Sequence, residues 1–444
     1  MKMGRLAAVV LASLLLGAAL VPTLVNDDAG WCWFQDERAI FVGGRLIAGS
    51  VAAGAHDRSR RGNVEVSSLD LATGKVDRFV LHPNLQLDDH DAPALLELPD
   101  GRILAVYAGH GLDRKIRSRV TLRSGDINAW EPERGLTLPP LAGAVSYSNL
   151  YRLADEGGRI YDFYRGKGWD PNVITSDDLG ASWRYAGQLL TGPGRPYVRY
   201  ASNNRDTVHF VCTEQHPRDF DNSLYHGYLR GGRVYDSFGH EVGALGSRAP
   251  APERLTRLFA GSADNVPWPA DVNLDSDGRL YVVYSVQKDG AGKPQGFGGM
   301  DLRYRYAWFD GRTWHDHEVA FAGSRLYAGE DDYTGLISLH PRALNAAYFS
   351  SNVDPRTGAP LVSAADGERH YEIFKGTTDD GGASWKIEPV TQDSVEDNIR
   401  PNVPPGSPEA GAGGSPGGAL IWLRGKLTSY INYDLEMVAL VPAP

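Results

Sequence analysis

Cysteine is nearly absent from this chain. Its 444 residues include two, Cys32 and Cys212, which excludes a disulfide-rich framework and leaves either two buried thiols or a single bridge. Methionine is scarce, at four. Basic charge does not predominate: the formal net charge is −10, which argues against nucleic acid or an anionic membrane surface as a partner. An acidic substrate would therefore need local arginines to attract it against the overall field. Long, clean runs of 3.6-residue periodicity are also missing, so a helical bundle is not expected.

What is present favours strands and turns. Glycine (52) and proline (27) are frequent and aromatics make up 10%, a profile suited to many short strands joined by tight bends. Residues 1–25 read as a secretory signal: Lys2 and Arg5 precede an apolar stretch from Leu6 to Val21, too short for a comfortable membrane span. The expected location is secreted or periplasmic, with an uncleaved N-terminal anchor as the only membrane association considered. The remaining residues, 27–444, are long enough for one large β domain.

One pattern, a polar or glycine turn entering a short apolar strand, recurs seven times. The instances are VGGRLIAGSVA (42–52), PDGRILAVYAG (99–109), EGGRIYDFYRG (156–166), RDTVHFVCTEQ (205–215), DSDGRLYVVYS (275–285), PRALNAAYFSS (341–351) and PGGALIWLRGK (416–426). Spacings of 48 to 74 residues suit four-stranded blades with variable loops. SDDLGASW (176–183) fits the Asp-box pattern S-x-D-x-G-x-S/T-W, and TDDGGASW (378–385) fits with threonine in first place. In this turn the Asp caps backbone amides and the Trp packs between strands; the role is structural. The expected fold is all-β: a single-domain, seven-bladed β-propeller closed by its N- and C-terminal strands, with DERAIFVGG (36–44) and TSYINYDLEMVAL (428–440) sharing the closing blade. The glycine- and proline-rich segment 404–418 reads as a low-complexity loop.

Candidate chemistry gathers where successive blade strands end. His110 follows the repeated strand of the second blade, Arg165 that of the third and His216 that of the fourth. His90 precedes the hairpin leading to His110, so an out-and-back path can return both to one rim, with Asp88, Asp89 and Asp91 as orienting partners. YSNLYRL (147–153) adds Tyr147, Asn149 and Tyr151, and RPYVRYASNN (195–204) adds Arg199, with Tyr197 and Tyr200 on opposite faces. Any single tyrosine, taken alone, reads first as packing between blades. Together, His, Tyr and Arg are what an elimination across a uronic acid requires. A cation neutralises the carboxylate and stabilises the enolate-like intermediate, while His or Tyr groups take the C5 proton and protonate the departing O4. No metal or other cofactor is required for that chemistry. Cys212, His216 and His226 are the residues considered for a structural zinc, with His209 nearby on the opposite strand face. A glycosidase would want two separated carboxylates, which the Asp88–Asp91 cluster does not supply, and a sialidase would want an arginine triad, of which DERAIFV offers only Arg38.

WCWFQDERAI (31–40), LDDHDAPAL (87–95), YAGHG (107–111), YSNL (147–150), FYRG (163–166), DDYTGLISLHP (331–341) and DNIRP (397–401) together resemble the BNR-repeat polysaccharide lyases, the propeller-type ulvan lyases and rhamnose–glucuronate lyases. The resemblance implies a seven-bladed propeller that cleaves a rhamnose- and uronate-containing glycan by β-elimination. It implies groove histidines at His90 and His110, a catalytic tyrosine at Tyr147 with Tyr151 as the alternative, a neutralising arginine at Arg165 and a groove tyrosine at Tyr200. Arg199, Asn149 and His216 are the further substrate-binding candidates. Some relatives carry a structural zinc, of which only part of a ligand set is visible here. An α-L-rhamnosidase-type hydrolase and a non-catalytic carbohydrate-binding propeller are the alternatives. The expected partner is an acidic polysaccharide or oligosaccharide and the expected state a monomer.

Overall fold

Strands in this chain are buried on both faces, and that sets the architecture. In Thr207–Cys212, Phe210 packs with Phe163 and Leu229 on one side, while Val211 packs with Val282 and Tyr284 on the other. The same division recurs around the molecule and produces seven apolar clusters, each shared by two neighbouring sheets. A strand whose two faces are both covered reads as a continuous apolar run, which is why these segments lack polar alternation.

The computed structural model describes residues 21–32, 35–36, 38–139, 143–406 and 419–441. Seven antiparallel sheets, or blades, form a β-propeller, and no α-helix occurs among the described residues. None of the described helical turns is long and apolar enough to cross a membrane. The seven repeated segments become the second strands of the seven blades: Arg45–Val51, Ile103–Tyr107, Arg159–Arg165, Thr207–Cys212, Leu280–Gln287, Ala343–Ser351 and Leu420–Ser429. Residues 1–20, most of the expected leader, and residues 407–418, most of the low-complexity loop, lie outside the described residues.

Closure differs from the expectation in one respect. Ala39–Val42, within the segment expected to close the ring, is instead the first strand of the first blade, paired with Arg45–Val51. The closing strand is Thr23–Asn26, which pairs with Asn432–Leu440 in the register Thr23↔Ala439 and Leu24↔Val438. Its TLV residues continue the apolar run from Leu6 to Val21, so hydropathy alone merges strand and leader. Arg60 pins this end, donating to Asn26 Oδ1 (2.7 Å), Asp27 Oδ1 (2.6 Å) and Glu65 Oε2 (2.9 Å).

The Asp-box turns take the expected form. Asp178 accepts from the Ser182 amide (2.8 Å) and Asp380 from the Ser384 amide (2.9 Å). In the third blade this turn follows Ser176, which pairs with Ile160 at the start of the second strand, whereas Arg165 at its end pairs with Pro171. The Asp-box and Arg165 therefore lie at opposite ends of the blade.

A chain beginning at Asp27 would lose the closing strand and leave Asn432–Leu440 as an open edge. It is expected to unfold at a lower temperature and aggregate more readily than one beginning at Val21, as measured by calorimetry and light scattering.

Candidate active site

The loop before the second blade folds into a single 3-10 turn, Asp89–Asp91, capped by Asp88, whose side chain accepts from the His90 amide (3.0 Å). The same carboxylate takes both imidazoles: Oδ1 lies 2.5 Å from His90 Nδ1 and Oδ2 lies 2.9 Å from His110 Nδ1. Asp91 accepts from the His110 amide (2.8 Å), and Asp89 pairs with the fully buried Arg400 at 2.9 Å. The two rings stack in parallel, with centroids 4.1 Å apart and planes 9° apart. With each Nδ1 committed to Asp88, Nε2 is the nitrogen left for a substrate.

Tyr147 reaches the pair from the third blade. The pairing of its strand slips between Ser146 and Asn149, and Tyr147 has a left-handed backbone with φ 63°, a cost that bulges beside functional sites commonly carry. Its ring centroid lies 5.2 Å from that of His90 and 6.1 Å from that of His110. Arg165 is held between two tyrosine faces, its Cζ 4.6 Å from the Tyr147 centroid and 4.5 Å from that of Tyr197. Among the described residues no ion pair joins it to an acid side chain, and the faces of Tyr147 and Tyr197 stabilise its charge. Beyond Tyr197, His216 and Trp268 continue the cluster edge to face, at 5.0 Å and 5.0 Å from its ring.

The site divides charge between the two histidines. Burial opposes the charge on His90, but the Asp88 carboxylate at its Nδ1 helps to outweigh it and hold its pKa well above 6.5. Burial and the neighbouring His90 charge bring His110 down to about 4. Burial likewise opposes the Asp88 charge, and the two histidines overcome it, keeping that carboxyl well below its usual range. Burial pushes Asp91 up to about 9, so it is neutral near pH 7. Burial, with Arg218, takes His216 down to about 2, and burial raises the Tyr147 phenol well above 10. The stacked pair thus presents one imidazolium and one neutral imidazole, the separation that acid and base partners need.

The structure brings together His90, His110, Tyr147 and Arg165, and joins His216 to them through Tyr197. Other expected residues are tied to Gln35, Asp36 and Arg38, and of these Asn149 and Tyr200 also line a small pocket with Tyr147 and Arg165. Asn149 Oδ1 accepts from the Asp36 amide (3.0 Å) and from Arg38 (2.9 Å), and Arg199 donates to the Gln35 carbonyl. Tyr151 donates to Asp36 and to the Tyr200 carbonyl (3.1 Å), while Tyr200 packs on Phe163 at 4.6 Å. Asn149, Tyr151 and Tyr200 line a cavity of about 480 Å³ that also holds Asp36 and Arg38.

Cys212, His216 and His226 do not converge. His226 pairs with Val211 and so shares a face with His209, 3.2 Å away between ring nitrogens, and not with Cys212. Both cysteines are free and buried. Among the described residues, the groups spaced to hold a metal ion are Asp88–His90–His110 and Cys32–Asp89–His90. Both draw on a His90 Nδ1 already within hydrogen-bond reach of Asp88 and Asp89.

Sequence reasoning missed Tyr430. Its ring stands edge-on to both histidines, at 5.2 Å and 6.0 Å, and its carbonyl accepts from the Asp89 amide (3.0 Å). The available signal was its position at the tip of the last hairpin, on the same rim.

Comparison with known proteins gives the following. The profile of a family described as BNR repeat-containing matches residues 32–322. No match was found among curated proteins. Among solved structures, the chain is similar to an ulvan lyase of a new polysaccharide lyase family, at 14% identity and TM-score 0.66 with 96% of each chain covered. An ulvan lyase of that kind bound to -[GlcA(1-4)Rha3S]- matches at 14% identity and TM-score 0.65, again over 96% of each chain. The polysaccharide lyase Uly1 matches at 10% identity and TM-score 0.56, over 95% of this chain and 98% of that one. At these identities the likeness is one of fold.

Linkage fixes the sign of the pH dependence. His110 binds a proton less readily folded than unfolded, so it withdraws stability as pH falls from about 6.5 toward about 4. His90 does the reverse: its contribution is complete below 6.5 and is lost as pH rises through its raised value. Imidazole nitrogen NMR at about pH 6 is expected to show His90 protonated and His110 neutral. Replacing Asp88→Asn should lower the His90 titration; an unchanged titration would contradict the shared-acceptor geometry.

Proposed function

The chain belongs to the BNR repeat-containing family, and from its site we propose that it is a polysaccharide lyase that cleaves at O4 of a uronic acid by β-elimination. One observation carries this reading: Arg165 is a buried cation held between two tyrosine faces with no ion pair to an acid among the described residues, set beside a paired charged and neutral histidine. A buried charge without a counter-charge is unfavourable, and a substrate carboxylate would supply one. Neutralised in this way, the uronate can lose its C5 proton to His110 Nε2. The electrons held in the enolate-like intermediate then form the C4–C5 double bond as O4 departs with a proton from Tyr147, whose high pKa keeps it protonated. His90 stays charged, stabilises the intermediate and keeps His110 neutral.

The acids of this rim fit hydrolysis poorly. Asp88 is bound to two histidines, Asp89 to Arg400 and Asp91 is neutral, which leaves no free pair to flank a glycosidic bond. The fold shared with ulvan lyases, one of them bound to -[GlcA(1-4)Rha3S]-, supports a rhamnose- and glucuronate-containing glycan as substrate. Secretion, read from the basic and apolar residues that precede the closing strand, suits a polymeric substrate, and a monomer holds every residue named in the step.

Incubation with ulvan and with a rhamnose–glucuronate glycan should yield products carrying the ultraviolet absorbance of an unsaturated uronate. Reducing ends without that absorbance would indicate hydrolysis and sink the elimination. Arg165→Ala is expected to lower kcat by about 10²–10³ and His110→Ala by about 10²–10⁴, with circular dichroism unchanged. Because the base must be neutral, the acid limb of kcat/KM should lie near pH 4 and not near 6.5. A limb that stays near 6.5 would remove His110 as the base.

A further inference from the structure

Trp169 lies on the loop that leaves Arg165, and neither packing nor backbone preference explains it. It is 49% exposed and belongs to none of the seven apolar clusters. Its backbone is left-handed, with φ 64°, a conformation that is strained for a residue with a Cβ. Glycine would adopt it freely, yet an indole occupies the position. The loop is nevertheless well held. Its amides close a single turn, Trp169 to the Gly166 carbonyl (2.9 Å) and Asp170 to that of Lys167 (3.2 Å). The buried Asp170 carboxylate accepts from Gln188 Nε2 (2.9 Å) and the Gly192 amide (3.1 Å).

The indole is aimed at the second blade. A methyl group on Gly111 would sit 3.8 Å from its edge, and Gly111 directly follows His110. Leu112, next in the chain, is 52% exposed. A rigid, exposed aromatic face thus stands one residue from the proposed base, bridging the loops that carry His110 and Arg165.

We propose that Trp169 is the platform of a sugar-binding subsite adjoining the reacting uronate, receiving the C–H face of the neighbouring pyranose. The inference rests on the lyase reading for the identity of the polymer. Aromatic rings suit this task because they bury apolar sugar surface with few rotatable bonds to order. A face fixed by its loop loses little freedom on binding, which offsets the backbone strain.

Binding can be measured without turnover. Calorimetric titration of the His110→Ala variant with a rhamnose–glucuronate oligosaccharide is compared with the same variant carrying Trp169→Ala, Trp169→Gly or Trp169→Phe. Trp169→Ala and Trp169→Gly are expected to weaken binding about tenfold, and Trp169→Phe to recover most of it. Trp169→Gly relieves the strained backbone and should not lower the unfolding temperature, which separates lost contact from lost folding. Equal affinity in all four proteins, or no binding to any uronate glycan tested, overturns the platform. If weakened binding is found while the wild-type chain releases no unsaturated product, the platform stands and the lyase reading fails. If unsaturated product forms but Trp169→Ala binds as tightly, the reverse holds.

Discussion

One buried carboxylate organises the rim of this propeller. Asp88 receives the Nδ1 of both His90 and His110, and it caps the short turn that carries His90. Two imidazoles stacked at 4.1 Å would repel one another if both were charged. Burial and the repulsion from His90 resolve this: the extra proton resides on His90, and His110 stays neutral although Asp88 would favour its charge. Around it, Asp89 is tied to Arg400 and Asp91 to the His110 amide, so every acid of the loop has a separate task. The ring positions follow from that division.

The described parts of the segment at residues 31–38 connect this rim to the body of the fold. Gln35 donates to the His90 carbonyl (2.7 Å), Arg38 to the Ser148 carbonyl (2.7 Å), and Arg400 and Arg199 donate to carbonyls of Trp31 and Gln35. Peptide groups near the axis cannot all pair within a blade, and buried ones must find partners. Arginine and asparagine side chains from several blades supply them. Asn149 and Arg199, expected as ligand-binding residues by type, thus also hold the chain. This network also locks the His90 loop against the first blade.

Charge on this face runs against the molecule as a whole. The chain carries a formal −10, but at the rim Asp88 offsets His90, Asp91 is neutral and Arg165 has no ion pair to an acid among the described residues. A local positive site in a net negative protein favours a carboxylate at one defined place while discouraging indiscriminate anion binding. The aromatic surroundings of Arg165 sharpen the effect, since the two ring faces stabilise the cation without neutralising it.

Much of the fold was legible because it is written locally. Each repeated turn-and-strand is a second blade strand, and each Asp-box Asp caps the amides its spacing implies; these depend on neighbours a few residues away. His90 and His110 could be paired because one hairpin separates them and a hairpin must return. Other features needed the tertiary structure, for reasons of distance or register. Tyr430 meets the histidines from the far end of the chain, and no local pattern links them. Thr23–Asn26 closes the ring although hydropathy joins it to the preceding apolar run. A register slip and a left-handed backbone direct Tyr147 to the histidines, while Asn149 and Tyr151 reach Asp36. The sequence by itself determined the number of blades and which residue types were available for chemistry. The tertiary structure decided which of them meet, because side-chain direction at the rim depends on bulges, caps and closure that join distant segments.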